Sequence, residues 1–194
     1  SYADGIYAYS FSGDAVVTTG VDSVTSATSD YYATGILAAG YNSAIVDNSG
    51  SVYAVAGVED GDGDSYGALA GSYGLASVTN SGHIDSSATG LFARALGAGA
   101  YSVNDTAIVT NSGSISAYAS GSGYATAMGV VGESPNYWAV VDNQDGLTRF
   151  YLRRGGALRI IVRVDCIAAV SWQVNQHRRA VTHARLHAHL TAGL

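Results

Sequence analysis

The chain has 194 residues and a formal charge of −6, with 25 Gly, 14 Tyr, one Pro, one Cys and no Lys. A single cysteine excludes an intrachain disulfide framework, and no apolar run reaches membrane-spanning length. Residues 1–146 hold 14 acids and one base, Arg94, which removes the electrostatic basis for nucleic-acid binding.

The first element to recur is a short strand with its turn. It reads Ala15-Val16-Val17-Thr18-Thr19-Gly20, then Ala44-Ile45-Val46-Asp47-Asn48-Ser49-Gly50 and Ala76-Ser77-Val78-Thr79-Asn80-Ser81-Gly82. It returns as Ala107-Ile108-Val109-Thr110-Asn111-Ser112-Gly113 and Ala139-Val140-Val141-Asp142-Asn143-Gln144-Asp145-Gly146. The closing glycines are 30, 32, 31 and 33 residues apart. Self-similarity at this period is the mark of a solenoid. Within each segment Ala and Val recur two residues apart, and Thr or Asp follows the Val. That alternation places Ala and Val inside and Thr or Asp outside. Asn and Gly then supply a turn, because both tolerate left-handed backbone angles.

After each turn the alternation resumes. Val52 and Ala54, Ile84 and Ser86, and Ile115 and Ala117 take the inward parity. A third piece precedes the Ala-Val strand: Gly5-Ile6-Tyr7-Ala8, Gly35-Ile36-Leu37-Ala38, Gly67-Ala68-Leu69-Ala70, Gly90-Leu91-Phe92-Ala93 and Gly129-Val130-Val131. Three strands per unit make one three-sided coil. The expected fold is therefore all-β: a right-handed parallel β-solenoid of about five three-stranded coils, occupying residues 1–146. Asn48, Asn80, Asn111 and Asn143 are expected to stack as an amide ladder. Insertions are expected at corners, in Gly57–Tyr66 and in Arg94–Asn104.

The pattern breaks after Gly146. Thr148 stands where an inward Ile or Val is due, and residues 147–194 hold eight Arg and one acid, Asp165. Two readings stand. One is a basic C-terminal cap, irregular or partly helical, with a strand over Ala157–Val164 and a helix over Asn175–Leu190. The other is a shifted reading frame: Arg and His codons read one base earlier give Ala, Ser, Thr or Pro, close to the composition of the body. Because the chain opens at Ser1 within a repeat, it is expected to be a piece of a longer protein.

Few residues invite chemistry. Asp60, Asp62 and Asp64 place oxygens at alternate positions, as a calcium loop does, but Ser65 and Gly71 stand where that loop needs Gly and a bidentate Glu. A weak calcium site is the most they promise, beside the plainer reading of a solvated acidic corner; no other cofactor is expected. Ser81, His83 and Asp85 have triad residue types, yet alternate positions of one strand point in parallel and cannot form the nucleophile–base–orienter chain easily. Cys166 lacks a Cys-x-x-Cys partner. Tyr31, Tyr32, Tyr41, Tyr53, Tyr66, Tyr73, Tyr101, Tyr118 and Tyr124 suit either an adhesive surface or corner stacking.

The units Asn48-Ser49-Gly50-Ser51-Val52-Tyr53-Ala54, Asn80-Ser81-Gly82-His83-Ile84 and Asn111-Ser112-Gly113-Ser114-Ile115-Ser116-Ala117 carry a resemblance, as do Ala33-Thr34-Gly35-Ile36 and Ala88-Thr89-Gly90-Leu91. Residues 1–146 resemble the passenger region of Gram-negative autotransporters. The resemblance implies export, display outside the outer membrane through a C-terminal β-barrel not present in these residues, and adhesion to a glycan or protein on a host or environmental surface. It implies no catalytic residues. The alternative is the scaffold of a polysaccharide-active β-helix enzyme whose site lies in other sequence; a groove of paired carboxylates would favour it, and the acids here scatter about one per unit.

Overall fold

The computed structural model describes residues 1–57 and 61–143, together with the backbone of strands Leu147–Arg154, Ile160–Arg163 and Val170–Gln173. Among the described residues there is no helix, and the strands wind a parallel β-solenoid of about 4 turns.

Each coil begins on a six-stranded sheet. Strands β2 (Asp14–Thr19), β5 (Ser43–Asn48), β8 (Leu75–Asn80), β10 (Ala107–Asn111) and β12 (Trp138–Asn143) pair in parallel. Their register aligns Ala15, Ala44, Ala76, Ala107 and Ala139 in one column and Val17, Val46, Val78, Val109 and Val141 in another. The alanines and the first four valines are buried, as their parity requires, while Asp47 and Thr79 are exposed. A coil buries its inner face only by stacking on its neighbours. Fully covering one valine side chain contributes roughly 1.5–3 kcal/mol.

The buried asparagines form the expected ladder. Thr19 Oγ1 donates to Asn48 Oδ1 at 2.6 Å. Asn48 Nδ2 then donates to Asn80 Oδ1 at 2.7 Å, Asn80 Nδ2 to Asn111 Oδ1 at 2.7 Å, and Asn111 Nδ2 to Asn143 Oδ1 at 2.6 Å. The second hydrogen of each of the first three amides goes to the carbonyl two residues on, at Gly50, Gly82 and Gly113. Both donors are satisfied, so amides sit in the interior without the cost of an orphaned polar group.

Beyond the turn, β3 (Val24–Ser29) pairs with β6 (Ser51–Gly57), and β6 with the first half of β9 (His83–Ser102). The third side joins β1 (Tyr2–Ser10), β4 (Tyr32–Gly40), β7 (Asp62–Ser72), the second half of β9, and β11 (Ser114–Glu133). In the third and fourth coils the second and third sides are thus one continuous 20-residue strand. Gly90, with φ 155°, sits between the two halves of β9. Gly57 at the end of β6 pairs with Thr89 and Asp62 at the start of β7 pairs with Phe92, so more chain separates these pairs in the second coil than in β9. The insertion expected in Gly57–Tyr66 is therefore narrower than that range, because Asp62 to Ser72 is strand.

The third side kinks at a glycine column. Register pairs on either side align Gly5, Gly35, Gly67, Gly97 and Gly129. A Cβ at Gly5, Gly35 or Gly97 would lie 2.6 Å from the carbonyl oxygen of the next glycine in the column. No side chain fits, and the inward parity shifts there, with Ala33 buried before the kink and Ile36 and Ala38 after it. This corrects two expectations. The fourth member of the glycine column is Gly97, not Gly90. Arg94–Asn104 is not a corner insertion, because Arg94 to Ser102 pairs with Asp64 to Ser72.

Past Asn143 the backbone keeps one more parallel step and then reverses. Strand β13 (Leu147–Arg154) pairs with β11 in register. Strand β14 (Ile160–Arg163), within the strand expected over 157–164, pairs antiparallel with β13, and β15 (Val170–Gln173) pairs antiparallel with β12. The helix expected over 175–190, and Cys166, lie outside the described residues.

Candidate functional site

The repeat that fills the interior also arranges the exterior, because residues one coil apart share an outward column. Before the glycine kink, register brings Tyr2 beside Tyr32, Tyr32 beside Asp64, and Asp64 beside Arg94. The Tyr2 and Tyr32 rings lie 5.7 Å apart and those of Tyr32 and Tyr66 5.1 Å apart. The Arg94 guanidinium stands 5.9 Å from the Tyr66 ring centroid. It donates to Asp64 through Nη2 at 2.6 Å and Nε at 3.2 Å. Burial first, then the Asp64 carboxylate, hold the Tyr66 phenol above its ordinary value. The hydrogen bond to Asp64 raises Arg94 and keeps it cationic.

Beyond the kink two further outward columns run along the axis. One holds Tyr7, Leu37, Leu69, Gly99 and Val131; the other holds Tyr9, Ala39, Gly71, Tyr101 and Glu133. At the corner that follows, Tyr41 and Tyr73 stack 5.4 Å apart and within 4° of parallel. Tyr7, Tyr9, Tyr41, Tyr73 and Tyr101 are all exposed. The stacking and the exposure coexist: the rings are spaced by the coils and still open to solvent.

The calcium candidates are divided. Asp60 lies outside the described residues. Asp62 and Asp64 begin strand β7, one exposed and one half-buried, and both carboxylate oxygens of Asp64 are engaged by Arg94. An extended strand sets such residues about 7 Å apart along its length instead of curling them around an ion. Among the described residues, no group of three or more His, Cys, Asp or Glu is placed to hold a metal.

The triad-like residues are not brought together. Ser81 Oγ donates to Ser49 Oγ at 3.2 Å on the preceding coil. His83 Nδ1 lies 2.7 Å from Ser114 Oγ on the following coil, with its ring 5.6 Å from that of Tyr53. Asp85 sits in register with Tyr53 and Ser116. Ser81 and His83 thus bond to residues of neighbouring coils and not to each other.

Comparison with family models, with curated proteins and with solved structures finds no match. The geometry of the columns therefore has to carry the functional reading. Three features were missed in the sequence: the Asp64–Arg94 pair, the Tyr9–Tyr101 column, and the exposed Tyr2 and Tyr7. The signal was present as spacing. Asp64 and Arg94 are 30 residues apart, one coil length.

Proposed function

We propose that this chain is a non-catalytic interaction module, a surface-displayed solenoid of the autotransporter-passenger kind, which adheres to glycan or protein through its tyrosine columns. The observation behind this reading is the placement of the exposed tyrosines. Register and the following corner gather four of the exposed tyrosines, Tyr9, Tyr41, Tyr73 and Tyr101, close together, while Tyr2, Tyr31, Tyr53, Tyr124 and Tyr137 are exposed elsewhere on the coil. Tyrosine is well suited to such contact, because it offers a large rigid face and a hydroxyl at little cost in side-chain entropy. Export to the cell surface, and anchoring by a barrel encoded elsewhere in the parent protein, belong to the same proposal and rest on the resemblance of the repeat unit.

The test has two arms. Antibody raised against the chain should label intact, unpermeabilised source cells. Beads coated with the chain should be retained on glycan- or protein-coated surfaces under flow, and a Tyr41→Ala, Tyr73→Ala, Tyr101→Ala variant should lose most of that retention while unfolding at the same temperature. Retention unaffected by the triple change would remove the adhesive reading. Depolymerisation of a polysaccharide by the chain would establish the enzymatic alternative.

A further inference from the structure

The column of Tyr9, Ala39, Gly71 and Tyr101 contains a hollow. The two tyrosines are 61% and 46% exposed, and only small residues lie between them. Three strand spacings separate Tyr9 from Tyr101, about 14 Å of backbone. A Cβ added at Gly71 would meet nothing within 4 Å, so the floor is open. Half-buried Leu37 and Leu69 run along one side, and the stacked rings of Tyr41 and Tyr73 line the corner on the other.

Charge narrows what fits. Glu133 follows Tyr101 in the same column, and exposed Asp105 lies in the adjoining turn. The one base in residues 1–143, Arg94, lies on the other side of the glycine kink and is held by Asp64. Among the described residues, an anionic ligand at the hollow would meet carboxylates and no free cation. A ligand with flat ring faces, hydroxyls and positive charge would meet phenol faces, phenol hydroxyls and Glu133.

We propose that this hollow is a subsite for a glycan chain bearing free amino groups, of the glucosamine-polymer type, laid along the solenoid axis. The proposal rests on the reading of the chain as an adhesive module and names its ligand. Sugar ring faces stack on the tyrosines, ring hydroxyls exchange hydrogen bonds with the phenols, and the ammonium groups gain from both the aromatic faces and the carboxylate. A protein partner would ordinarily seek a deep pocket for a buried anchor side chain. The floor here is nearly bare backbone, which suits a ribbon-like ligand better.

Titration calorimetry on the full chain tests this, with a glucosamine hexamer and an N-acetylglucosamine hexamer as probes. The amino hexamer should bind, and the acetylated one should bind at least tenfold more weakly. Tyr101→Ala and Gly71→Trp should each weaken the amino hexamer at least tenfold, while Tyr53→Ala, on the second side of the coil, should change nothing. Gly71→Trp fills an open space and should keep the unfolding temperature of the parent chain, so its loss of binding reports a blocked site and not a damaged fold. Equal affinity for both hexamers, no binding of the amino hexamer, or full binding by Gly71→Trp would overturn the subsite. If beads coated with the chain still adhere under those outcomes, the subsite alone is wrong; if they also fail to adhere, the adhesive reading falls with it.

Discussion

Residues 1–143 and the strands that follow them share a backbone pattern but not the residues that fill it. In the body, the first inward column after the turn reads Thr25, Val52, Ile84 and Ile115, and the next reads Ala27, Ala54, Ser86 and Ala117. Strand β13 continues the same register with Thr148 and Phe150 at those positions, and Leu152 where Ala88 and Ala119 stand. Arg149 and Arg153 extend columns of Asp85 with Ser116 and of Thr89 with Ser120. The strands after it turn antiparallel, an arrangement that joins no two described strands within residues 1–143. Parallel pairing is therefore the permissive part of this fold. What specifies a coil is the size of the inward residue at each column, because the interior is filled by alanine, serine and single branched side chains and leaves little room for anything larger.

The sharpest way to break this contrast is to put a charge into each region. Val78→Asp should cost about 4 kcal/mol or more, since an unpaired carboxylate would enter a dry interior. Thr79→Asp should change the urea midpoint little, because Asp47 and Asp142 already occupy its column. Thr148→Asp, at a register position equivalent to Ile115, should resemble Thr79→Asp if the tail is foreign to the solenoid. A loss as large as that from Val78→Asp would make the tail an integral cap.

Next in size is the amide ladder. Asn80→Ala should cost about 1–3 kcal/mol, read by chemical denaturation, because it orphans the acceptor of one neighbour and a donor of the other. A neutral result would mean that water replaces the amide.

The tail itself is best addressed at its gene. If the frame one base earlier over codons 147–194 restores Gly, Ala and Asn-Ser-Gly units, the basic segment is a frameshift product. Stop codons in that frame would leave a genuine cap. In the frameshift case, a chain cut after Tyr118 should be about as stable as the whole, measured by thermal unfolding.

Smaller effects concern the cluster of Tyr66, Asp64 and Arg94. The Tyr66 proton is held more tightly in the folded chain than in the unfolded one. The stability this contributes is full below the ordinary phenol value of 10.0 and is lost as pH rises through the raised value. Tyr66→Phe should therefore flatten the alkaline fall in unfolding temperature, and an unchanged slope would count against it. Calcium should bind weakly at most through Asp60, Asp62 and Asp64, since Arg94 already occupies Asp64. Submicromolar affinity in calorimetry, lost in Asp62→Asn, would reverse that expectation.

Much of this architecture was legible because a repeat prints the same physical demand several times. Ala76 or Asn80 alone says little; aligned with Ala44, Ala107, Asn48 and Asn111 they identify a thin interior and an amide ladder. The columns failed where two segments satisfied the same local pattern. Gly90-Leu91-Phe92-Ala93 and Gly97-Ala98-Gly99-Ala100 both place a glycine before an apolar step. Only the distance to the turn glycine separates them: Gly97 lies 16 residues before Gly113, close to the 15 of the earlier coils. The merging of two sides into β9 left no mark in hydrophobic pattern, since a corner with few residues looks like more strand. The outward columns were the least legible part, because tyrosine, glycine and alanine on the outside obey no burial rule and acquire meaning only once register sets them side by side.

The asparagine ladder also gives the solenoid a mechanical character. Its side-chain bonds, and the strand pairings beside them, all run from one coil to the next along the axis. Tension applied to the chain ends does not load these bonds together. It opens the outermost coil first and leaves the next intact, so the molecule should unspool like thread from a bobbin. Each released coil, at 30 to 33 residues, would lengthen the tether by about 100 Å. A solenoid built this way yields in steps under load and keeps its remaining coils folded while it does so.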